Sequence, residues 1–530
     1  MLLFDLIGRP DATVLDVLDF QAENNATAIW LRQDERQLTF AEARTLVDRY
    51  AAGLSVRGLR SGQMLALVVS PSIDVVLLCL AAARLGAVFT TVNTDFKGEF
   101  LREAVDDTLA QILIIDAELA ERWAGVSGRH VRQIFVLGEP ASNGLTSTTS
   151  LLEPAVLPLL PTLNAYEPLQ IWWSSGTTGK SKGVMHGHSS ILRLAWRLAC
   201  AGIQAQEVLY SCTPMYLGSS WTGTIWPSLV AGVGGAIDAR FSATQFWQRI
   251  AHYDATYFFT LGAMHMHLWK REPSPAERSH RIRRAQAIPL TWDQVPQFKQ
   301  RFGIQNLPQS YGTSETFVIF EAPDDGTPWQ GAALGRAVEH YDVKLMDDSD
   351  REVPSGEAGE ICVRPREPGV MFLGYYQQPE MTAKTWRNLW HHTGDMATRD
   401  ADGIYYFADR KKDYIRYNGR NISMFEVEAV ADRHPEVADV CAYGIVSEEL
   451  ASESELCLAI LPKPGCAPLP DDIARFINRN APYYFVPRYI ITVANIPRNA
   501  HGRIMKNELR DRGVPAGAWD RKISNFVVER

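Results

Sequence analysis

Apolar runs that alternate with helix-like segments mark the early part of the chain. An apolar run over Met64–Val69 is followed by a mainly apolar segment that ends at Gly86, and a second run covers 87–92. Ser70 can cap the intervening helix, Pro71 suits its first position, and Gly86 suits its C-terminal stop. Two continuous apolar strands around a capped helix predict a βαβ unit in a buried parallel sheet.

This alternation continues to about residue 320, after which the pattern changes. Further helices are predicted at 99–109, 190–200 and 243–252, and further strands at 111–116, 170–173 and 256–261. From Ala333 onward, short alternating segments are joined by Asp- and Gly-rich turns. They predict β-hairpins within 340–365 and 402–423.

The last part of the chain has the pattern of an α+β domain. Helices are predicted at 424–433 and 471–478, and strands at 437–445 and 455–461. The charged cluster at 409–413 separates this part from the hairpins, as expected at a domain boundary. We therefore predict an α/β fold with a large N-terminal unit of several subdomains at 1–411, made of parallel α/β sheets plus a β-rich subdomain. A small α+β C-terminal domain is predicted at 412–530.

Composition and charge exclude several classes of protein. With 46% hydrophobic and 22% charged residues, the 530-residue chain is near the globular average, which excludes collagen-like, disordered and disulfide-scaffold proteins. The 53 basic and 61 acidic residues give a net charge of −8, which disfavours nucleic acid or an anionic membrane as the main partner. The seven cysteines lack CxxC and zinc-ligand spacings. We expect reduced thiols in a cytoplasmic, soluble protein with no signal peptide and no membrane span.

The strongest chemical signal is the segment SSGTTGKSKG at 174–183. Glycines let backbone N–H groups approach an anion closely, hydroxyl groups add donors, and lysines add positive charge. Together they predict a polyphosphate-binding loop formed by Ser174, Ser175, Gly176, Thr177, Thr178, Gly179, Lys180 and Lys182. A Walker-type P-loop does not fit, because its first glycine would fall on Ser174 and the residues after the loop have the pattern of a strand rather than a helix.

With this loop, the sequence resembles the acyl-adenylate-forming superfamily, which includes acyl-CoA synthetases, peptide-synthetase adenylation domains and luciferases. Within that superfamily it is most similar to enzymes of the crotonobetaine/carnitine–CoA ligase type. Motifs that occur in the family's order carry the resemblance across nearly the whole chain: SSGTTGKSKG, YGTSET at 311–316, HTGD at 392–395, DRKKDYIRYNG at 409–419 and PRNAHGRIMK at 497–506.

The resemblance implies roles in nucleotide and metal binding. In YGTSET, Ser314 would contact phosphate and Glu315 would hold Mg²⁺. A carboxylate supplies the hard oxygen ligand that this cation prefers, and the cation offsets the charge of the polyphosphate. Asp395 would accept bonds from the ribose hydroxyls, and Arg410 would donate to the ribose or the phosphate. Tyr311 and the backbone around Ala287 and Pro289 would flank the adenine. Gly312 and Thr313, also in YGTSET, are the remaining residues implied in binding ATP or AMP.

Three further residues follow from the C-terminal motifs. The hinge position of the family falls on Lys412, which implies a mobile C-terminal domain that rotates between two half-reactions. Gly419 would lie beside the pantetheine arm of CoA. The family's catalytic lysine position is occupied by Arg503, which keeps the positive charge but is planar and bulkier. Lys506, three residues further on, is the less favoured substitute for that lysine.

The acyl pocket is the least defined part of the predicted site. The segment 213–223 matches a family segment that often carries a gating histidine, but Leu217 occupies that position here. Tyr216, Trp221 and Met264 are the pocket candidates, and each could equally belong to the core. An aromatic cluster could bind a trimethylammonium group or stack on a bulky ring.

We therefore expect an ATP-dependent carboxylic acid–CoA ligase that forms acyl-AMP and then acyl-CoA. Its cofactors would be ATP, Mg²⁺ and coenzyme A as co-substrate, and its acid is not defined by the sequence. One alternative is an adenylate-forming enzyme that passes the acyl group to an amine or a carrier protein. The other, suggested by Arg503, is a nucleotide-binding protein with weak catalysis. The sequence does not fix the oligomeric state, for which a homodimer is the commonest class.

Overall fold

The computed structural model divides the chain into two compact units. The first consists of Met1–Asp342 and Arg364–Arg387, and the second of Val343–Val363 and Asn388–Arg530. The structure describes residues 3–96, 98–123, 128–138, 145–174, 181–410, 414–417, 420–446, 454–481, 485–498, 504–515, 517–524 and 526–528. The predicted boundary between residues 411 and 412 falls where the chain is not described, and it stays a prediction.

The βαβ unit predicted from the apolar runs is present in the first unit. The strand Met64–Val68 pairs in parallel with Val88–Thr91 and with Ile112–Asp116. In the connecting helix Ile73–Arg84, every side chain except that of Asp74 is buried. Burial on both faces explains why these segments are continuously apolar rather than alternating.

The cap of this helix differs from the prediction. Ser72, and not Ser70, is the N-cap: its hydroxyl accepts a hydrogen bond of 3.3 Å from the backbone N–H of Val75. Ser70 instead donates its backbone N–H to the Asp116 carboxylate at 2.7 Å. Because Ser72 has the extended backbone that a cap requires, the helix begins after it.

The strands of the first unit form two larger sheets and one antiparallel segment. The sheet that carries the βαβ unit has the order Gly374–Tyr375, Lys182–Gly187, Pro168–Ser174, Val88–Thr91, Met64–Val68, Ile112–Asp116, Gln133–Leu137 and Thr146–Ser147. A second sheet has the order Arg284–Ile288, Tyr257–Leu261, Val208–Ser211, Gly234–Ile237, Ile29–Gln33 and Arg36–Thr39. The antiparallel segment contains Gln309–Thr313, Phe317–Ala322 and Ala333–Ala337.

Helices cover these sheets and fill the core. The α-helices of the first unit are Leu3–Ile7, Val14–Asn24, Phe40–Val56, Ile73–Arg84, Gly98–Asp106, Ala120–Trp123, His188–Cys200, Gly218–Ser220, Trp226–Ala231, Phe246–His252, Ala263–Trp269, Val295–Phe302 and Pro379–Thr385. Shorter 3₁₀ or π turns lie at Ala117–Leu119, Thr148–Leu152, Trp221–Ile225 and Pro275–Arg278.

The second unit combines hairpins with an α+β part. Its hairpin strands are Tyr341–Met346, which begins in the first unit, with Gly359–Pro365, Trp390–Arg399 and Tyr405–Arg410, and then Tyr414–Tyr417 with Arg420–Ser423. The α+β part contains the strands Val437–Val446, Ser454–Pro462, Tyr489–Thr492 and Trp519–Asp520 and the helices Met424–Ala431, Pro470–Asn480 and Lys506–Asp511.

These units confirm the predicted α/β fold class, with parallel sheets, a β-rich part and an α+β part. In the described ranges, no helix combines the length and the apolar content needed to cross a membrane.

Candidate active site

The predicted phosphate loop connects two antiparallel strands. The strand Pro168–Ser174 pairs with Lys182–Gly187, and Ser174 lies opposite Lys182 in the register. A strand thus follows the loop, as the sequence predicts, and not the helix that a Walker-type P-loop requires. The loop residues between these strands that were assigned to phosphate, Ser175, Gly176, Thr177, Thr178, Gly179 and Lys180, lie outside the described residues, as does the side chain of Ser174.

The YGTSET motif forms a tight antiparallel hairpin. Strand Gln309–Thr313 pairs with Phe317–Ala322, and Thr313 lies opposite Phe317 across the turn. A Cβ atom on Gly312 would lie 1.5 Å from the carbonyl oxygen of Phe317, so only glycine fits there. The turn is closed by the Thr313 hydroxyl, which accepts the backbone N–H of Glu315 at 3.2 Å. Ser314 and Glu315 are therefore presented at the tip of a constrained turn.

A buried histidine that the sequence analysis missed supports this turn. His186 Nε2 donates to the backbone carbonyl of Ser314 at 2.7 Å, and its ring stacks on Phe317 at 4.3 Å between centroids. Burial lowers the pKa of His186 to about 4, so the imidazole is neutral near pH 7. The sequence signal is the even spacing from Lys182 along one strand, which places both residues on the same face.

The Glu315 carboxylate is held by a second residue that the sequence analysis missed. The Tyr375 hydroxyl donates to Glu315 Oε1 at 2.7 Å, and the backbone N–H of Phe372 donates to the Glu315 carbonyl at 2.8 Å. Burial, together with the charge of Glu315, raises the pKa of Tyr375 well above its usual range, so the phenol keeps its proton. Among the described residues, no donor contacts the other oxygen, Glu315 Oε2, which leaves a hard oxygen ligand for a cation.

Lys182 approaches the same tyrosine from the phosphate-loop strand. Its Nζ lies 5.1 Å from the centroid of the Tyr375 ring, which is within cation–π distance. Tyr375 lies opposite Val184 in the strand pairing, so its side chain shares a face with Lys182. The structure thus brings together Lys182 and Glu315, two of the predicted site residues, around one aromatic ring.

The residues predicted around the adenine lie at the end of a parallel strand of the first unit. Ala287 is fully buried, whereas Pro289 is exposed and follows a cis peptide bond. The carbonyl of Pro289 accepts a hydrogen bond of 3.2 Å from His265 Nε2. Tyr311, from the YGTSET hairpin, packs 5.9 Å from Phe320. Their contact with adenine stays a prediction.

The acyl-pocket candidates differ in burial. Trp221 is fully buried, donates to the Met215 carbonyl at 2.9 Å and packs against Trp226, which is the environment of a core residue. Tyr216 is half-buried, and burial together with the Asp95 carboxylate raises its pKa to about 12. Met264 is half-buried on the helix Ala263–Trp269. Their role in binding an acyl group stays a prediction.

The residues assigned to the ribose lie in the second unit. Asp395 on Trp390–Arg399 is the cross-strand partner of Arg410 on Tyr405–Arg410. The side chain of Arg410 lies outside the described residues, as do Lys412, Gly419 and Arg503. Lys506 Nζ lies 3.0 Å from Glu428 Oε1, so the alternative lysine is engaged in an ion pair.

A buried carboxylate that the sequence analysis also missed supports the HTGD segment, which lies within the strand Trp390–Arg399 at an irregularity in its pairing with Gly359–Pro365. Glu360 Oε2 accepts from His392 Nδ1 at 2.9 Å, and Glu360 Oε1 accepts from the backbone N–H of Gly394 at 3.0 Å. Cys362 Sγ lies 3.2 Å from the same His392 nitrogen, which makes this group the one set of metal-type ligands found together among the described residues. Because both Glu360 oxygens already accept hydrogen bonds, we assign the group to holding the strand segment before Asp395 rather than to a metal.

The family models match both parts of the chain. The AMP-binding enzyme model matches residues 18–376, and the model of the AMP-binding enzyme C-terminal domain matches 426–503. The chain belongs to the AMP-binding enzyme family. The family predicted from the ordered motifs is thereby confirmed, and so is the prediction that the chain is an enzyme.

Relatives of this AMP-binding enzyme extend over nearly its full length. A crotonobetaine/carnitine–CoA ligase of Salmonella heidelberg (strain SL476) is 28% identical over 490 residues, which cover 90% of this chain and 93% of the relative. The crystal structure of the anthranilate CoA ligase AuaEII in complex with anthranoyl-AMP has a TM-score of 0.84 at 22% identity and covers 97% of this chain and 99% of that one. ATP-bound MatB from Rhodopseudomonas palustris has a TM-score of 0.82 at 22% identity, covering 94% of this chain and 99% of that one. The two structures confirm the fold.

Proposed function

We propose that this AMP-binding enzyme is a carboxylic acid–CoA ligase that uses ATP and forms an acyl-adenylate. The observation that carries the proposal is the meeting of Lys182 and Glu315 around Tyr375. One side chain is a cation from the strand that follows the Gly/Ser/Thr/Lys loop, and the other is a carboxylate at the tip of the YGTSET turn. A polyphosphate with a divalent cation needs both kinds of group.

The residues of the first unit fit the phosphates and a magnesium ion. Lys182 would donate to phosphate oxygens together with the loop at 174–180, and Ser314, which is exposed at the turn, would add a hydroxyl donor. Glu315 would hold Mg²⁺ through the oxygen that Tyr375 does not occupy. Bound magnesium would offset the polyphosphate charge and favour pyrophosphate as a leaving group.

The first reaction activates the acid. An oxygen of the carboxylate forms a bond to the α-phosphorus of ATP, the bond from that phosphorus to the α–β bridging oxygen breaks, and pyrophosphate leaves. The product, acyl-AMP, carries a good leaving group on a carbon that was a poor electrophile as a carboxylate. Positive charge at the position of Arg503 would stabilise the transition state of this step.

The second reaction forms the thioester. The sulfur of CoA bonds to the acyl carbon, the carbon–oxygen bond to AMP breaks, the thiol proton passes to solvent, and AMP leaves. Rotation of the C-terminal domain about Lys412 would exchange the groups around the adenylate between the steps, with Gly419 leaving space for the pantetheine arm. Asp395 would hold the ribose hydroxyls.

The acid is a small organic carboxylate whose identity has to be measured. Curated relatives are named crotonobetaine/carnitine–CoA ligases, whereas solved structures of the same fold include an anthranilate CoA ligase. We therefore propose a panel of carnitine-like, aromatic, medium-chain and steroid-derived acids.

The test measures pyrophosphate release and AMP release from ATP and Mg²⁺ for each acid, with and without CoA. A ligase releases pyrophosphate only with its acid, and it releases AMP at a catalytic rate only when CoA is added, with an acyl-CoA of the expected mass. Adenylate formation with no CoA-dependent AMP release would instead indicate an amine or carrier-protein acceptor. Tight ATP binding without acid-dependent pyrophosphate release across the panel would contradict an enzymatic ligase.

A further inference from the structure

We propose that Tyr375 is a positioning residue that keeps the Lys182 ammonium and the Glu315 carboxylate apart, so that each is available to the metal-bound nucleotide. This inference rests on the proposed function for the identity of the ligand. Its geometry rests on contacts within the first unit alone.

The hydroxyl of Tyr375 is fixed in place by its surroundings. The residue is 4% exposed, its strand pairs with Lys182–Gly187, and its backbone N–H donates to the Thr382 hydroxyl at 2.9 Å. Its ring packs edge-on against Phe372 at 5.2 Å. The donor therefore points at Glu315 from a rigid support, and partial burial strengthens a hydrogen bond to a charged acceptor.

The ring of Tyr375 holds the lysine without neutralising it. In the described part of the chain, no carboxylate lies within ion-pair distance of Lys182, although Glu315 contacts the same tyrosine. An aromatic face attracts an ammonium group but carries no net charge. Tyr375 thus acts as a neutral spacer where a lysine and a glutamate could otherwise pair with each other.

Such a pair would oppose ligand binding. A lysine bound to Glu315 would have to break that pair before it contacted phosphate, and the carboxylate would have to break it before it bound a cation. Loss of the Tyr375 hydroxyl removes the donor that orients Glu315 toward the cation. Loss of the whole ring also removes the spacer and lets the carboxylate turn toward Lys182. A hydrogen bond to a charged group contributes enough to predict a loss of about 10- to 100-fold in affinity.

The test compares Tyr375→Phe with Tyr376→Phe. Both variants lose one phenolic hydroxyl, but the Tyr376 hydroxyl donates to the Thr108 carbonyl at 3.3 Å and does not contact Glu315. The measurement is Mn²⁺ binding by electron paramagnetic resonance in the presence of α,β-methylene-ATP, which lacks the cleavable bond. Binding of the metal-free analogue, measured by calorimetry, is the second readout.

We expect Tyr375→Phe to weaken Mn²⁺ binding by about 10-fold or more while metal-free nucleotide binding changes far less. Tyr376→Phe should match the wild type in both. A Tyr375→Leu variant, which also loses the aromatic face, should weaken metal-free binding as well. The far-UV circular dichroism and melting midpoint of each variant report whether it folds.

A folded Tyr375→Phe protein that binds Mn²⁺ with the analogue as tightly as the wild type would overturn the proposal. An equal loss in Tyr376→Phe would also overturn it, because the effect would then be one of general packing. Failure of the ligase proposal would be seen separately. In that case Mn²⁺ binding would still depend on Tyr375, but the wild-type protein would release no pyrophosphate with any acid.

Discussion

At the scale of single residues, the proposed adenylation depends on charged side chains that the backbone holds in position. Glu315 is half-buried at the tip of a turn, and one of its oxygens is already occupied by Tyr375. Its remaining oxygen is the metal ligand proposed above.

Glu315→Ala should abolish acid-dependent pyrophosphate release at ordinary Mg²⁺ concentrations, because the metal loses its carboxylate. Glu315→Gln keeps the shape and the acceptor for Tyr375 but loses the charge, so about 100-fold lower activity is expected, with partial recovery as Mg²⁺ is raised. The measurement is the initial rate across a Mg²⁺ titration. Full activity of the alanine variant would show that the metal assignment is wrong.

Arg503 occupies the position at which the resemblance implies a catalytic lysine. Arg503→Lys should raise the adenylation rate if arginine is an imperfect substitute, by up to about 100-fold for full recovery of a well-placed charge. Single-turnover adenylation measures it, with Arg512→Lys as a control on an exposed arginine. A lower rate in Arg503→Lys would mean that the site is adapted to arginine.

Because Lys506 is paired with Glu428, we expect Lys506→Ala to affect this step less than Arg503→Ala.

At the scale of elements, the YGTSET turn and the irregular part of the strand Trp390–Arg399 present the candidate nucleotide ligands, and each is fixed by a contact distant in sequence. His186 supports the Ser314 carbonyl, and Glu360 supports the Gly394 N–H. Each supporting side chain is almost fully buried, so its hydrogen bond is costly to lose.

Glu360→Ala should destabilise the second unit and loosen the strand segment that carries Asp395. Two donors, the buried His392 Nδ1 and the half-buried Gly394 N, would lose the carboxylate, at about 3 kcal/mol or roughly 6 to 12 °C in melting midpoint. The KM for ATP should rise with it. Calorimetry and initial-rate kinetics measure both effects, and the exposed Glu357→Ala in the same hairpin region is the matched control. An unchanged melting midpoint would contradict the role given to Glu360.

Local elements could be predicted from the sequence, whereas the contacts between them could not. The strands over 64–69 and 111–116 are apolar because both sheet faces are buried, so their composition alone identified them. The helix cap was placed two residues early because SPS offers two serines, and backbone geometry selects Ser72. Glu360 lies in a segment whose pattern indicates only a hairpin strand, and Tyr375 lies in one for which no element was predicted. Their roles depend on partners more than 30 residues away.

At the scale of the whole molecule, three buried histidines link stability to pH. Burial lowers the pKa values of His186, His188 and His265 to about 4 each. In the unfolded chain these groups titrate near pH 6.5, so between about pH 6.5 and 4 the unfolded state binds more protons. The free energy of unfolding therefore falls as the pH is lowered through this range.

We expect a lower melting midpoint at pH 5 than at pH 7, with up to about 2 kcal/mol lost per buried histidine. His188→Asn should show a weaker pH dependence, because asparagine can still accept from the Val14 N–H, which lies 3.4 Å from His188 Nδ1, but does not titrate. Calorimetric scans at both pH values measure this, with exposed His252→Asn as the control. Identical pH dependence in His188→Asn and wild type would contradict it.

The hinge assigned to Lys412 gives a prediction for the complete reaction cycle. Lys412→Pro fixes the φ angle and removes a backbone donor, so it should restrict rotation of the C-terminal domain. Acid-dependent pyrophosphate release should persist, while acyl-CoA formation should fall by about tenfold or more. Lys412→Ala, which keeps the backbone free, is the control. Equal thioester rates in both variants would show that residue 412 is not the hinge.

The pairing of Ser174 with Lys182 has a consequence for how this site can be altered. Lys182 and His186 lie four residues apart on one face of the strand Lys182–Gly187. One residue inserted between Lys182 and His186 would turn the imidazole to the opposite side and leave the Ser314 carbonyl without its donor. We therefore expect such an insertion to lower both the melting midpoint and the rate of acid-dependent pyrophosphate release.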